Sequence, residues 1–231
     1  IKLFESNKDI IISHDIIHDN VEKVIEAERI RINNTEKWDA SKLPDIFFQE
    51  YRSYDQYLAL ITEIVFTHPL ISSRSIIGQT MENRNIELVT LRGTSGPEQK
   101  PGLYIQAAVH AREWLANMAT MYILNGLAEG YGDDPVITEV LDNVNIFIAP
   151  TVNVDGYMYS WTTNRMWRKN RRNNGGGSYG VDLNRNWGPS STWCSSGSSS
   201  NPNSDTYCGA SAYSEPEVQA SRDFVLDSSN N

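Results

Sequence analysis

The chain has 231 residues, 39% of them hydrophobic and 21% charged, enough for one core of ordinary size and more in keeping with one main domain than two. Its net charge of -9 argues against a nucleic-acid partner, which needs a basic footprint over much of one face. No apolar run approaches the ~20 residues that cross a bilayer, so no membrane span or membrane partner is expected. The chain starts at Ile1, without a signal-peptide pattern, as expected of a processed or excised chain.

In chain order, residues 10–32 are rich in Ile, Glu and Arg. Asp19-Asn20 followed by Val21, Val24, Ile25 and Glu28 predicts a short capped helix. From Asn33 to Asp45 the pattern breaks into polar residues and Pro44, which reads as a connector. Ser53 or Tyr54 opens a second helix with Tyr57, Leu58, Ile61, Ile64 and Val65 on one stripe, stopping near His68-Pro69. Ser75 to Gly78 and Ile86 to Leu91 predict strands around a Glu82-Asn83-Arg84-Asn85 turn. Leu103 to Val109 predicts a strand buried on both faces. Helices are then expected over Trp114 to Leu127 and Pro135 to Leu141, with another buried strand from Val144 to Ala149. The last helix starts at Ser214-Glu215-Pro216-Glu217, read as a capping box with proline in the first turn, and runs to Leu226. This alternation predicts an α/β fold with a mixed central β-sheet flanked by helices.

The chemistry concentrates in four stretches. His110-Ala111-Arg112-Glu113 falls where a buried strand ends and a helix begins, the place where α/β sheets put ligands. A catalytic zinc takes three protein ligands and keeps one position open, and His110 and Glu113 are two candidates. A half-buried histidine beside a glutamate that favours the helix dipole is the plainer reading. The basic cluster Arg165-Met166-Trp167-Arg168-Lys169-Asn170-Arg171-Arg172 is a solvated face unless Trp167 anchors it and turns an arginine inward, where a fixed cation stabilises an oxyanion. Asp182-Leu183-Asn184-Arg185-Asn186-Trp187 sets an amide beside a guanidinium, either a structural turn or a match for a carboxylate. Cys194 and Cys208, the only two cysteines, flank a Ser/Gly/Asn stretch, and a bridge between them would suit an oxidising compartment. The Asn33-Asn34-Thr35 sequon points the same way.

Taken together, His110 to Glu113, Asn153-Val154-Asp155-Gly156-Tyr157, Asn164 to Lys169, Asp182 to Trp187 and Ser214 to Glu217 resemble the zinc metallocarboxypeptidases of the digestive A/B type from about Phe47 onward, the invertebrate enzymes most of all around Ser214 to Glu217, while Cys194 and Cys208 depart from the usual vertebrate disulfide positions. The resemblance implies one zinc ion with His110 and Glu113 as ligands, Arg168 as the residue that polarises the scissile carbonyl, and Arg112, Asn184 and Arg185 as substrate-binding residues. It also implies that residues 1–38 are the end of an activation peptide and its connector, and residues 39–231 the N-terminal two thirds of the catalytic domain. The family's third zinc ligand, pocket floor and glutamate base have no counterpart here, since His110 is the last histidine. The expectation is a secreted, monomeric zymogen fragment, inactive alone. Its partners would be peptide C-termini and an activating trypsin-like protease. The alternative is a non-catalytic relative that binds peptide ends.

Overall fold

The structure is a computed structural model that describes residues 20–34 and 46–227. Contacts divide the chain into two units, Ile1–Lys37 and Trp38–Asn231. The described part of the first is one helix, α1 (Val21–Asn34), none of whose residues is buried. Asn20 starts it, its Oδ1 accepting the Lys23 backbone N–H at 3.2 Å. Residues 10–19 of the Ile-, Glu- and Arg-rich segment, the connector over 35–45 and Thr35 of the sequon lie outside the described residues.

The second unit begins with a 3₁₀ turn (Phe47–Gln49) and α2 (Tyr54–Thr67). Ser53 and Gln56 form a reciprocal capping box at the start of α2. Tyr57, Leu60, Ile61 and Ile64 make its buried stripe. A four-stranded sheet follows, made of β1 (Ser72–Gln79), β2 (Asn85–Leu91), β3 (Gly102–Gln106) and β4 (Asn145–Ala149), in the order β1-β2-β4-β3. The pairs β1–β2 and β2–β4 are antiparallel and β3–β4 is parallel, so the sheet is mixed as the alternation predicted. The β1–β2 turn carries Asn83 at φ 60°, a left-handed conformation that asparagine tolerates.

Helices α3 (Trp114–Gly130) and α4 (Pro135–Asn143) connect β3 to β4, and α5 (Val154–Thr162) leaves β4. A small hairpin, β5 (Asn173–Gly175) and β6 (Ser178–Tyr179), a 3₁₀ turn (Leu183–Arg185) and α6 (Pro216–Leu226) complete the described residues. Nothing in the periodicity of a Gly-rich stretch predicted the hairpin. Beside α6 a core cluster joins Ile86, Leu88, Phe147, Ala149, Val152 and Ala220. Gly78 is the point of closest approach, since a Cβ there would sit 2.6 Å from Ala220 Cβ.

Two expectations need correction. The strand expected to be buried from Leu103 to Val109 ends at Gln106 and is at best half-buried, Leu103 being 49% exposed. The reason is position: β3 is at an edge of the sheet among the described residues, and Ala108 at φ 52° breaks the extended run before His110. The Ser214 to Glu217 capping box is not formed either. Glu215 is the N-cap of α6 and makes no side-chain cap bond, because Asn170 and Arg172 hold its carboxylate.

Candidate active site

The site starts from the turn after β3. Ala107 N–H donates to Ala149 O at 3.0 Å, and Val152 and Asn153 N–H groups donate back to Ala107 O and Ala108 O. The chain leaving β4 therefore grips the turn and holds Ala108 left-handed, a conformation that only surrounding structure sustains in a non-glycine residue. Asn153, wholly buried, donates Nδ2 to Val109 O and Lys169 O and caps α5 through Gly156 N–H. Ala111 N–H donates to Arg168 O at 3.0 Å. One asparagine and one backbone bond thus join the His110 turn to the Arg168 segment.

His110 is 8% exposed and its two ring nitrogens face different carboxylates. Nδ1 lies 2.8 Å from Glu113 Oε1, and Nε2 lies 3.1 Å from Oδ1 of the wholly buried Asp182. An ionised carboxylate only accepts, so each ring nitrogen can donate to the carboxylate it faces; with a cation between Nδ1 and Glu113, the proton would sit on Nε2 and be donated to Asp182. That is how a ligating histidine is oriented in metal sites, its second nitrogen donating to a carboxylate. The donor pair therefore fits a zinc ion held by Nδ1 and the Glu113 carboxylate, which stands free of cap bonds at the start of α3. Among the described residues no group of three or more His, Cys, Asp or Glu side chains is placed to hold a metal.

Asp182 also takes Nε and Nη2 of Arg168 on its second oxygen, at 3.1 and 2.9 Å. Burial would raise its carboxyl pKa, but hydrogen bonds from His110 and Arg168 and their charges outweigh burial and hold it below the usual range. It stays an anion and couples the two. The role of Asp182 is not legible in the sequence, because nothing in spacing along the chain shows which residue stands behind a histidine 72 positions away.

The basic cluster resolves residue by residue. Trp167 does anchor it, through Nε1 to Asn170 O and an edge contact with Tyr159. Arg165 stacks over Trp114 at 3.6 Å and Arg171 over Tyr159 at 3.7 Å, while Arg172 pairs with Glu215. Arg112 extends toward Met166 O at 3.4 Å. Asn184 is exposed on the 3₁₀ turn. The Arg185 side chain donates Nε to Gly197 O and Nη1 to Asn184 O, which fixes it at the rim of the loop closed by the Cys194–Cys208 disulfide.

With this geometry in place, comparison with known proteins places the chain. Residues 57–231 match the zinc carboxypeptidase family, and the chain belongs to that family. It is 39% identical to carboxypeptidase B of Bos taurus over 179 residues, covering 77% of this chain and 42% of that protein. It is 34% identical to carboxypeptidase A1 of Mus musculus over 95% of this chain and 51% of that protein. The chain thus spans about half the length of the curated relatives it matches. Among solved structures, carboxypeptidase A from Helicoverpa armigera superposes with a TM-score of 0.81 at 30% identity, covering 97% of this chain and 54% of that one.

Proposed function

We propose that this chain belongs to a zinc-dependent metallocarboxypeptidase that releases C-terminal amino acids from peptides. The observation that carries the reading is the His110 ring, held between Glu113 at one nitrogen and Asp182 at the other, with Arg168 on the same aspartate. His110 Nδ1 and Glu113 would hold the zinc ion, which when bound supplies Lewis acidity and an acidified water. Arg168 spends one edge of its guanidinium on Asp182 and keeps Nη1 for an oxyanion, without exchanging protons. Asn184 and Arg185, adjacent on one turn, would hold the substrate carboxylate, and Arg112 the neighbouring residues. The reading needs a third zinc ligand and a general base besides His110 and Glu113, and among the described residues no three-donor group is formed.

The finer roles follow from the same reading. Residues 1–38 would be the end of an activation segment and residues 39–231 the N-terminal part of the catalytic domain. A trypsin-like protease would free the latter. The disulfide supports passage through an oxidising compartment and hence secretion. No described helix is long and apolar enough to cross a membrane.

The absence of a three-donor group among the described residues favours one second reading, a module that binds peptide C-termini without cleaving them. Mass spectrometry of peptides incubated with the full-length protein separates the two. Loss of C-terminal residues, stopped by a chelator and restored by zinc, is expected. Saturable peptide binding with intact peptides would establish the module instead.

A further inference from the structure

Asn170 is wholly buried and each of its polar atoms is used. Nδ2 donates to Glu215 Oε2 at 2.8 Å and to Glu217 Oε2 at 3.1 Å. Oδ1 accepts Val181 N–H at 2.8 Å and Arg172 N–H at 3.3 Å. The backbone N–H donates to Val181 O at 3.0 Å, and the backbone oxygen accepts Trp167 Nε1 at 3.2 Å. Of the backbone bonds between the two segments that bear Arg168 and Asp182, the one from Asn170 N–H to Val181 O lies nearest that pair, with Gly180 N–H to Arg172 O beyond it: Asn170 is two positions after Arg168, and Val181 one before Asp182.

We propose that Asn170 is a positioning residue for Arg168, clipping the Arg168 segment to Val181-Asp182 so that the Arg168–Asp182 pair keeps one arrangement. The inference rests on the metallocarboxypeptidase reading. Its support lies in what stands behind the amide. Glu215, Glu217 and Asp155 are all buried within one network. Arg172 Nε contacts both oxygens of Glu215 at 2.7 Å, and Arg84 Nη1 meets Asp155 Oδ1 at 2.7 Å. The bonds to Glu217 come instead from neutral donors, its own backbone N–H, the Asn170 amide and, at 3.5 Å, the Met81 N–H. Burial, together with the charges of Glu215 and Asp155, pushes its pKa up to about 7. Burying a carboxylate on neutral donors alone is unfavourable, and such departures gather where function needs a fixed geometry.

The test uses the full-length protein and the kinetics of C-terminal amino-acid release. Asn170→Ser keeps an oxygen acceptor and removes both N–H donors. We expect kcat to fall about tenfold with KM within about twofold, and the same substitution in an Arg168→Ala background to change kcat less than about twofold, since it acts through Arg168. Equal losses in both backgrounds, or a loss carried by KM, would overturn the inference. If Asn170→Ser does not fold, Glu217→Gln serves in its place, with a fall in kcat of about threefold that vanishes in the Arg168→Ala background; no fall overturns it. Should Arg168→Ala itself leave kcat unchanged, the proposed role of Arg168 fails and the inference with it. A loss in Arg168→Ala with additive Asn170→Ser removes the inference alone.

Discussion

At the scale of single residues, the division of labour between two arginines is the sharpest expectation. Arg168 is fixed by Asp182 behind His110, whereas Arg185 is fixed at a loop rim by backbone oxygens of Asn184 and Gly197. In the full-length protein, Arg168→Ala should lower kcat by about 100-fold or more with little change in KM, the scale of losing an oxyanion donor. Arg185→Ala should chiefly raise KM. Steady-state kinetics with the opposite pattern would reverse the assignments. Glu217 gives a second test, of stability. Its pKa is raised on folding from 4.5 to about 7, so the native state binds the proton more tightly than the unfolded chain. The stability it contributes is present below pH 4.5 and is lost as pH rises toward 7, a loss of about 3 kcal/mol. Denaturant melts across that range should show Glu217→Gln flattening this part of the profile. An unchanged slope would place the titration elsewhere.

At the scale of elements, most of the helices and strands could be read from periodicity because each buries a stripe of its own. Tyr57, Ile61 and Ile64 on α2, and Ile146 to Ala149 on β4, announce themselves in this way. What could not be read depends on partners distant in the chain. Glu215 and Glu217 look like helix-cap residues in sequence and turn out to be acceptors for Asn170 and Arg172, some 45 residues upstream. The β5–β6 hairpin has no apolar pattern at all, its turn being made by Gly175, Gly176 and Gly177 at positive φ. The pairing of His110 with Glu113 was legible in their spacing; the aspartate behind the histidine was not. The contact of β1 with α6 is testable at this scale. Gly78→Ala would place a methyl 2.6 Å from Ala220 Cβ, and should cost about 1–3 kcal/mol by overpacking. Ala220→Gly should recover part of that, less about 1 kcal/mol for glycine within a helix. Thermal melts of the two single variants and the double variant decide whether the two positions are coupled.

For the whole molecule, the division between Ile1–Lys37 and Trp38–Asn231 carries the zymogen proposal. Arg29 and Arg31 lie on a helix without buried residues, and Lys37 ends the first unit. Trypsin in limiting amount should cut there first and leave the second unit intact. Mapping of the fragments checks this, and a first cut within α3 would contradict the two-unit organisation.

One side of β3 has a further consequence for how the protein behaves in solution. Its outer N–H and C=O groups have no strand beside them among the described residues, and Leu103 on it is half exposed. A bare ladder of this kind is a template on which another chain can add a strand, and neither proline nor lysine within Gly102–Gln106 blunts it. Residues 1–231 produced alone should therefore be colloidally unstable, with light scattering that grows with concentration. Leu103→Lys should suppress that scattering while leaving the melting temperature nearly unchanged, since an exposed edge position adds little to the core.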